Sequence, residues 1–64
     1  MKRRPPLSPR QREIIRKIAA GCADKQISLM LGISEGTLKN HMSRIFSKLK
    51  AKSRAHAVFI YFSQ

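Results

Sequence analysis

Few residues in this chain of 64 amino acids have the types needed for covalent or metal chemistry. The single cysteine, Cys22, and the two histidines, His41 and His56, lack the close and repeated spacing of metal ligands. Ser8, Ser34 and Ser53 lie where helices are expected to begin, and no histidine–acid pair is placed to activate them as nucleophiles. We therefore expect no enzymatic activity, no bound metal and no cofactor.

The chemistry that remains is the binding of anions. Fourteen Lys and Arg residues face three Asp and Glu residues, which gives a formal net charge of +11. A small domain needs a charge of only about 2–8 to stay soluble, so the excess indicates an anionic partner. Nucleic acid, a lipid surface and an acidic protein are the three classes to consider.

Cysteine usage and hydropathy indicate the compartment. A secreted domain of this size would usually contain several disulfides, and this chain has one cysteine. It has no run of about 18 apolar residues, so no membrane span is expected. The basic segment at residues 1–6 has no apolar run behind it and does not predict a signal peptide. We expect a cytoplasmic protein.

Apolar residues at helical spacing predict an all-α fold of four helices, which must position any binding residues. The expected helices span residues 9–20, 24–31, 35–49 and 54–62. Each begins at a residue whose side chain can cap a first turn: Ser8, Asp24, Ser34 and Ser53. Gly21 and Gly32 end the first two. We expect a flexible basic arm over residues 1–6 and one compact domain over residues 7–64.

Residues 24–49 have the pattern of a helix-turn-helix. A short helix leads to a tight turn at Leu31-Gly32-Ile33, and Ser34 starts a longer helix at once. Gly32 permits the positive backbone angle that a sharp turn between helices requires. Ile33 supplies an apolar side chain beneath the turn.

The longer helix has the composition expected of a helix that enters the major groove of DNA. Its apolar residues share one side: Leu38, Met42, Ile45 and Leu49. Small, uncharged residues lie opposite: Gly36, Asn40, Ser43 and Ser47. Cations lie at the two edges of that outer face: Lys39 and Lys50 on one, Arg44 and Lys48 on the other. Small central residues permit close approach to base edges, and edge cations reach the phosphates.

From Leu7 onward the sequence resembles the LuxR-type, or GerE-type, helix-turn-helix of bacterial transcription regulators. Three segments carry the resemblance without gaps: LSPRQREIIRKIAAG, DKQISLMLGISEGTLKNHMSRIFSKL and KSRAHAV. The run ISEGTLKNH is the most specific part. The resemblance implies a four-helix output domain that binds double-stranded DNA as a dimer.

The resemblance also implies roles for single positions. It implies that Lys39, Asn40 and Ser43 read base edges in the major groove, where asparagine can pair with adenine through two hydrogen bonds. The expected contacts to the phosphate backbone come from six residues: Lys25, Ser34, Thr37, Arg44, Ser47 and Lys48.

Several positions depart from the family pattern. Ala23 replaces the usual capping serine and Gln26 the usual glutamate, so the capping box of the second helix is expected to be lost unless Asp24 caps instead. Lys50 stands where many members have the glycine that ends the long helix, and Ala51 replaces a larger apolar residue. The changes in charge make the domain more basic, which predicts tighter and less selective DNA binding than in a typical member, with a steeper salt dependence.

The apolar run at residues 58–62 has two interpretations. Val58 and Phe62 are expected to complete the core, but the side chains between them cannot all point inward from one short helix. They pack either against a neighbouring domain or the arm, or against a second copy of the chain. The resemblance favours the second, so the predicted dimer contacts are Phe59, Tyr61 and Phe62.

These features together predict sequence-specific binding of double-stranded DNA by a homodimer on paired half-sites, at the bacterial nucleoid, with RNA polymerase as a further partner. One alternative is a basic interaction module that contacts an acidic transcription partner, which the small polar centre of the third helix disfavours. A membrane-surface peptide would need its cations and aromatic residues on one amphipathic helix, and here several helices share them. Members of the family usually carry a sensing domain before this one, and six residues precede the match here.

Overall fold

A computed structural model describes residues 7–63 of the chain. Within that range the chain forms four α-helices and no strand, as predicted: α1 (Pro9–Ala19), α2 (Asp24–Leu31), α3 (Glu35–Leu49) and α4 (Arg54–Phe62). The first helix ends one residue earlier than expected, because Ala20 is its C-cap. The predicted basic arm, residues 1–6, lies outside the described residues.

Serine side chains cap three of the four helices, as predicted. The Oγ atoms of Ser8, Ser34 and Ser53 each accept the backbone N–H three residues further on, at 3.0–3.2 Å. Each bond satisfies one of the N–H groups that a helix leaves without a partner in its first turn. In α1 the side chain of Gln11 also accepts the N–H of Ser8 at 2.9 Å, which completes a capping box.

The second helix begins differently, and the prediction that Asp24 caps it is wrong. The N-cap is Ala23, Asp24 is the first helical residue, and the Asp24 carboxylate binds Arg54 of α4. The Oε1 atom of Gln26 accepts the N–H of Ala23 at 2.9 Å. Half of the capping box therefore forms, although the N-cap residue has no side chain that can accept a hydrogen bond.

One apolar core holds the four helices together. Its buried members come from all four helices and from Leu7, two residues before α1: Leu7, Ile14, Ile15, Ile27, Leu38, Met42, Ile45, Leu49 and Ala57. Four of these nine belong to α3 and are the stripe that the spacing predicts. Their burial fixes the rotation of α3, so its opposite face must point to solvent.

Two large apolar side chains lie outside the core: Met30, and Phe62, which was expected to complete it. Met30 is 52% exposed, because the buried side of α2 runs through Ile27, Ser28 and the half-buried Leu31. Phe62 is 56% exposed, because α4 packs through the fully buried Ala57. At about 100° per residue, Phe62 lies roughly 140° around the helix from that contact.

The third helix ends at a lysine in a glycine-like conformation. Lys50 has φ 55° and ψ 40°, and it is the one residue other than glycine with a positive φ among residues 7–63. An L-residue pays a steric cost there, of about 1–2 kcal/mol. Lys50, expected at one cationic edge of α3, is the exposed C-cap residue that follows the helix.

Candidate nucleic-acid interface

The turn between α2 and α3 is tight and anchored at both sides. Gly32 ends α2 in the left-handed conformation, with φ 68°, and the N–H of Ile33 donates to the carbonyl oxygen of Ser28 at 3.0 Å. The side chain of Ile33 is partly buried against the core. The turn therefore holds α3 at a fixed angle to α2, as the predicted helix-turn-helix requires.

The start of α3 brings two hydroxyl groups together. Ser34 accepts the N–H of Thr37 and donates its own hydroxyl hydrogen to Thr37 Oγ1, both at 3.0 Å. This pairing occupies Ser34 in the capping of the helix and leaves the hydroxyl of Thr37 able to donate to an anion. Both residues are exposed.

The outer face of α3, which we call the polar face, is the side opposite the buried stripe. The three residues predicted to read bases, Lys39, Asn40 and Ser43, are exposed. All six residues predicted to contact phosphates are also exposed: Lys25, Ser34, Thr37, Arg44, Ser47 and Lys48. Eight of these nine belong to α3 or its N-cap, and Lys25 lies on α2.

One side chain that supports the polar face was not identified from the sequence. Gln11 of α1 is only 6% exposed, and its Oε1 atom accepts the ammonium of Lys48 at 3.1 Å, in addition to the N–H of Ser8. The contact ties the last turn of α3 to the first turn of α1. The sequence held one signal for this role, which is that a polar residue stands within the apolar stripe of α1.

A second tie joins α2 to α4. The guanidinium of Arg54 binds the carboxylate of Asp24 through two nitrogen–oxygen contacts, of 2.8 and 2.9 Å. The hydrogen bond from Arg54, with smaller Coulombic effects of Arg54 and Lys39, lowers the pKa of Asp24 despite partial desolvation. The same hydrogen bond raises the pKa of Arg54. Because Arg54 offsets the charge of Asp24, this acid detracts little from the positive field around Lys39.

The other two acids lie on the surface. Glu13 forms an ion pair with Arg10 one turn earlier in α1, with a nitrogen–oxygen distance of 3.7 Å. Glu35 is exposed in the first turn of α3, where the helix dipole favours a negative charge. Beyond Glu35, α3 carries cations and neutral residues alone, so its polar face stays basic along its length.

The cysteine and the two histidines are half-buried within the fold. His56 is half-buried, and its Nδ1 atom accepts the N–H of Lys52 at 3.0 Å. It thereby orders the segment between α3 and α4. His41 and Cys22 are also half-buried. Across residues 7–63, no three His, Cys, Asp or Glu side chains are grouped so that they could hold a metal ion.

The outer side of α4, which we call the aromatic face, is apolar and exposed. Phe59 is 69% exposed and Phe62 is 56% exposed, while Tyr61 is half-buried. The rings of Tyr61 and Phe62 meet edge to face, with 4.9 Å between their centroids. Beside this face, an open groove of about 410 Å³ runs between the end of α1 and the start of α4, lined by Ile18, Ala19, Arg54, Ala55 and Val58.

The helices within residues 7–63 are too short or too polar to cross a membrane.

Comparison with known proteins gives one family. Residues 5–61 match the model of the family described as bacterial regulatory proteins, luxR family. The chain is 46% identical to the uncharacterized transcriptional regulatory protein YvfU of Bacillus subtilis over 55 residues. These residues are 86% of this chain and 28% of YvfU. It is 43% identical over 54 residues to the putative HTH-type transcriptional regulator YhjB of Escherichia coli, covering 84% and 27% of the two chains.

A third relative has the same degree of similarity. The nitrate/nitrite response regulator protein NarL of Escherichia coli is 43% identical over 51 residues, which are 80% of this chain and 24% of NarL. The chain therefore spans about a quarter of the length of the curated relatives it matches.

Proposed function

Because this chain belongs to the luxR family of bacterial regulatory proteins, we propose that it binds specific sequences of double-stranded DNA by placing α3 in the major groove. The family and the transcription regulators within it identify a DNA-binding regulatory domain and not an enzyme. The use of α3 and the choice of sequence are the parts that we propose.

The observation that carries this proposal is the composition of the polar face. Side chains on the opposite side of α3 are buried, so Asn40 and Ser43 are held outward on a helix that cannot rotate. Both are small, which lets the helix backbone come close to base edges in a groove about 12 Å wide. A helix that is only solvated would more often alternate acids with bases.

The base contacts come from Lys39, Asn40 and Ser43. Lysine can donate to the two acceptors of guanine, asparagine can pair with both groups of adenine, and serine can bond to either base. Lys39 approaches from one edge of the polar face, so its ammonium can reach a base beside those that the two smaller residues contact.

The phosphate contacts supply most of the affinity. Lys25, Arg44 and Lys48 provide positive charge, while Thr37 and Ser47 provide hydroxyl groups near the two ends of α3. Ser34 donates its hydroxyl hydrogen to Thr37, so it would contact a phosphate only if that hydroxyl turned away from Thr37. Each cation that replaces a counterion on DNA makes binding more sensitive to salt. With a net charge of +11, we expect a steeper salt dependence than in a relative with a charge near +4.

The aromatic face pairs two copies of the domain. Phe59 and Phe62 are exposed, while Tyr61 packs partly against the core and meets the ring of Phe62 edge to face. Contiguous exposed apolar surface of this kind marks an interaction site more often than an inert surface. Two copies that meet through α4 would present two α3 helices to paired half-sites on the DNA.

The position of the domain in a longer regulator is also a proposal. The curated relatives are about four times as long as the segment they share with this chain. We propose that the chain is the output domain of a transcription regulator that acts at the bacterial nucleoid and contacts RNA polymerase there.

The test is a binding selection on random duplex DNA with the unaltered chain and three variants. Lys39→Ala and Asn40→Ala should each change the preferred sequence, because each removes one base contact. Lys48→Ala should weaken binding to all sequences nearly equally, because a phosphate contact carries no sequence information. If Asn40→Ala selects the same sequences as the unaltered chain, the assignment of base reading to α3 is wrong. If the chain selects no duplex and instead binds an acidic protein, the proposed function is wrong.

A further inference from the structure

The contact between Gln11 and Lys48 joins a buried oxygen to an exposed cation. Gln11 Oε1 accepts the ammonium of Lys48 at 3.1 Å across 37 positions of sequence. The Gln11 side chain is itself held by the N–H of Ser8 at 2.9 Å, and only 6% of the residue is exposed. An oxygen that is buried and accepts two hydrogen bonds has a fixed position, whereas a lysine side chain has many rotamers.

The partner of Lys48 is neutral. Among residues 7–63 the ion pairs are Arg10–Glu13 and Arg54–Asp24, and Lys48 is in neither. An ammonium has three donors, and the contact with Gln11 uses one of them. The contact therefore orients the charge of Lys48 without neutralising it, and Lys48 stays exposed at the end of the polar face.

We infer that Gln11 is a positioning residue for DNA binding: it holds the ammonium of Lys48 where a phosphate of the duplex lies and leaves its charge available. This inference rests on the proposed function, because Lys48 must meet a phosphate for its position to matter. An acid at position 11 would make the same hydrogen bonds but would pair with Lys48, whereas an apolar residue would leave the lysine unplaced.

The decisive experiment is a double-mutant cycle with Gln11→Met and Lys48→Met, measured as affinity for one selected duplex. Gln11→Met keeps the size of the side chain and the net charge but removes the acceptor. We expect a loss of roughly three- to tenfold in the presence of Lys48, and a much smaller loss in the Lys48→Met background. Equal losses in both backgrounds would overturn the inference, because the effect would then come from the cap of α1 at Ser8.

A second variant guards against simple loss of folding. Gln11→Glu keeps an acceptor for both donors, so thermal stability should be equal to or above that of the unaltered chain. The slope of log affinity against log salt should nevertheless become shallower by about one unit, as if one phosphate contact were lost. A matched control, Arg16→Met, removes a cation from the side of α1 that faces away from the core, and should change the slope by less than half as much.

Failure of the proposed function and failure of the inference about Gln11 give different results. If the unaltered chain binds no duplex, the proposed function fails and this inference fails with it. If the chain binds with a steep salt slope but Gln11→Glu leaves that slope unchanged, the inference alone is wrong.

Discussion

The polar face of α3 and the aromatic face of α4 are both exposed, and both lie opposite side chains of the same core. They differ in composition. The polar face combines Asn40 and Ser43 with cations, whereas the aromatic face presents Phe59 and Phe62. A polyanion with hydrogen-bonding base edges suits the first, and an apolar surface suits the second. Because each face belongs to a separate helix, we expect substitutions to separate the two proposed activities, recognition of DNA and pairing of copies.

The largest expected effect comes from the aromatic face. Replacing Phe59 and Phe62 together by serine should weaken binding to paired half-sites by roughly 100-fold or more, because the advantage of linking two binding events is lost. Affinity for a single half-site should stay the same. Band-shift titrations on duplexes with one and two half-sites measure both quantities.

Leu29→Ser is the matched control for that experiment. Leu29 on α2 is 72% exposed, so the variant removes a comparable apolar side chain from a different helix. Cooperativity should be retained. Unchanged cooperativity in the Phe59 and Phe62 variant would remove the claim that α4 pairs two copies.

The next effect comes from the polar face. Arg44→Ala should lower affinity about tenfold near physiological salt, for all sequences alike, and should make the salt slope shallower by about one unit. The self-association of the chain should not change, and sedimentation equilibrium measures it. A variant that changed the preferred sequence would show instead that Arg44 reads bases.

A smaller effect concerns the ion pair that holds α4 against α2. Asp24→Asn should lower the free energy of unfolding by up to about 1 kcal/mol, because the pair is partly exposed. The pKa of Asp24 is lower in the folded chain than its ordinary 3.8, so the pair stabilises at neutral pH. That stability is lost as the pH falls through the folded-state pKa, below 3.8.

Urea unfolding at pH 7 and at about pH 2.5 measures this loss. The difference between Asp24→Asn and the unaltered chain should shrink in acid. Glu13→Gln, which removes the exposed ion pair with Arg10, serves as the control and should have little effect at either pH. An Asp24→Asn effect that is the same at both pH values would mean that the pair contributes no stability.

The smallest expected effect concerns Lys50, in the segment between α3 and α4. Lys50→Gly should raise the free energy of unfolding by roughly 0.5–1 kcal/mol, since glycine adopts a positive φ without steric cost but loses more backbone entropy on folding. Thermal denaturation measures the gain. Lys52→Gly is the control, and it should not stabilise, because Lys52 has no positive φ. A Lys50→Gly variant that is less stable would show that the lysine makes a compensating contact.

The helices and the polar face could be predicted because their signals are local. The spacing of Leu38, Met42, Ile45 and Leu49 determines which side of α3 is buried, and the capping serines determine where helices begin. Local signals do not show how helices approach one another. The contacts of Gln11 with Lys48 and of Asp24 with Arg54 join positions 37 and 30 residues apart, and nothing in the periodicity pairs them.

The packing of α4 was harder to predict for a related reason. Ala57 is fully buried, but a small side chain contributes little to an apolar pattern beside Phe59, Tyr61 and Phe62. Hydrophobicity therefore suggested Phe62 as a core residue. The small size of Ala57 is what lets α4 approach the core closely, and that approach turns Phe59 and Phe62 outward.

The separation between the buried stripe and the polar face of α3 also has an evolutionary consequence. Asn40 and Ser43 are exposed, so their replacement should leave the core unchanged. If these two residues read bases as we propose, single substitutions at either position would produce new specificities without unfolding the domain. A library that varies them alone, on an unchanged scaffold, would sample alternative operators at little cost in stability.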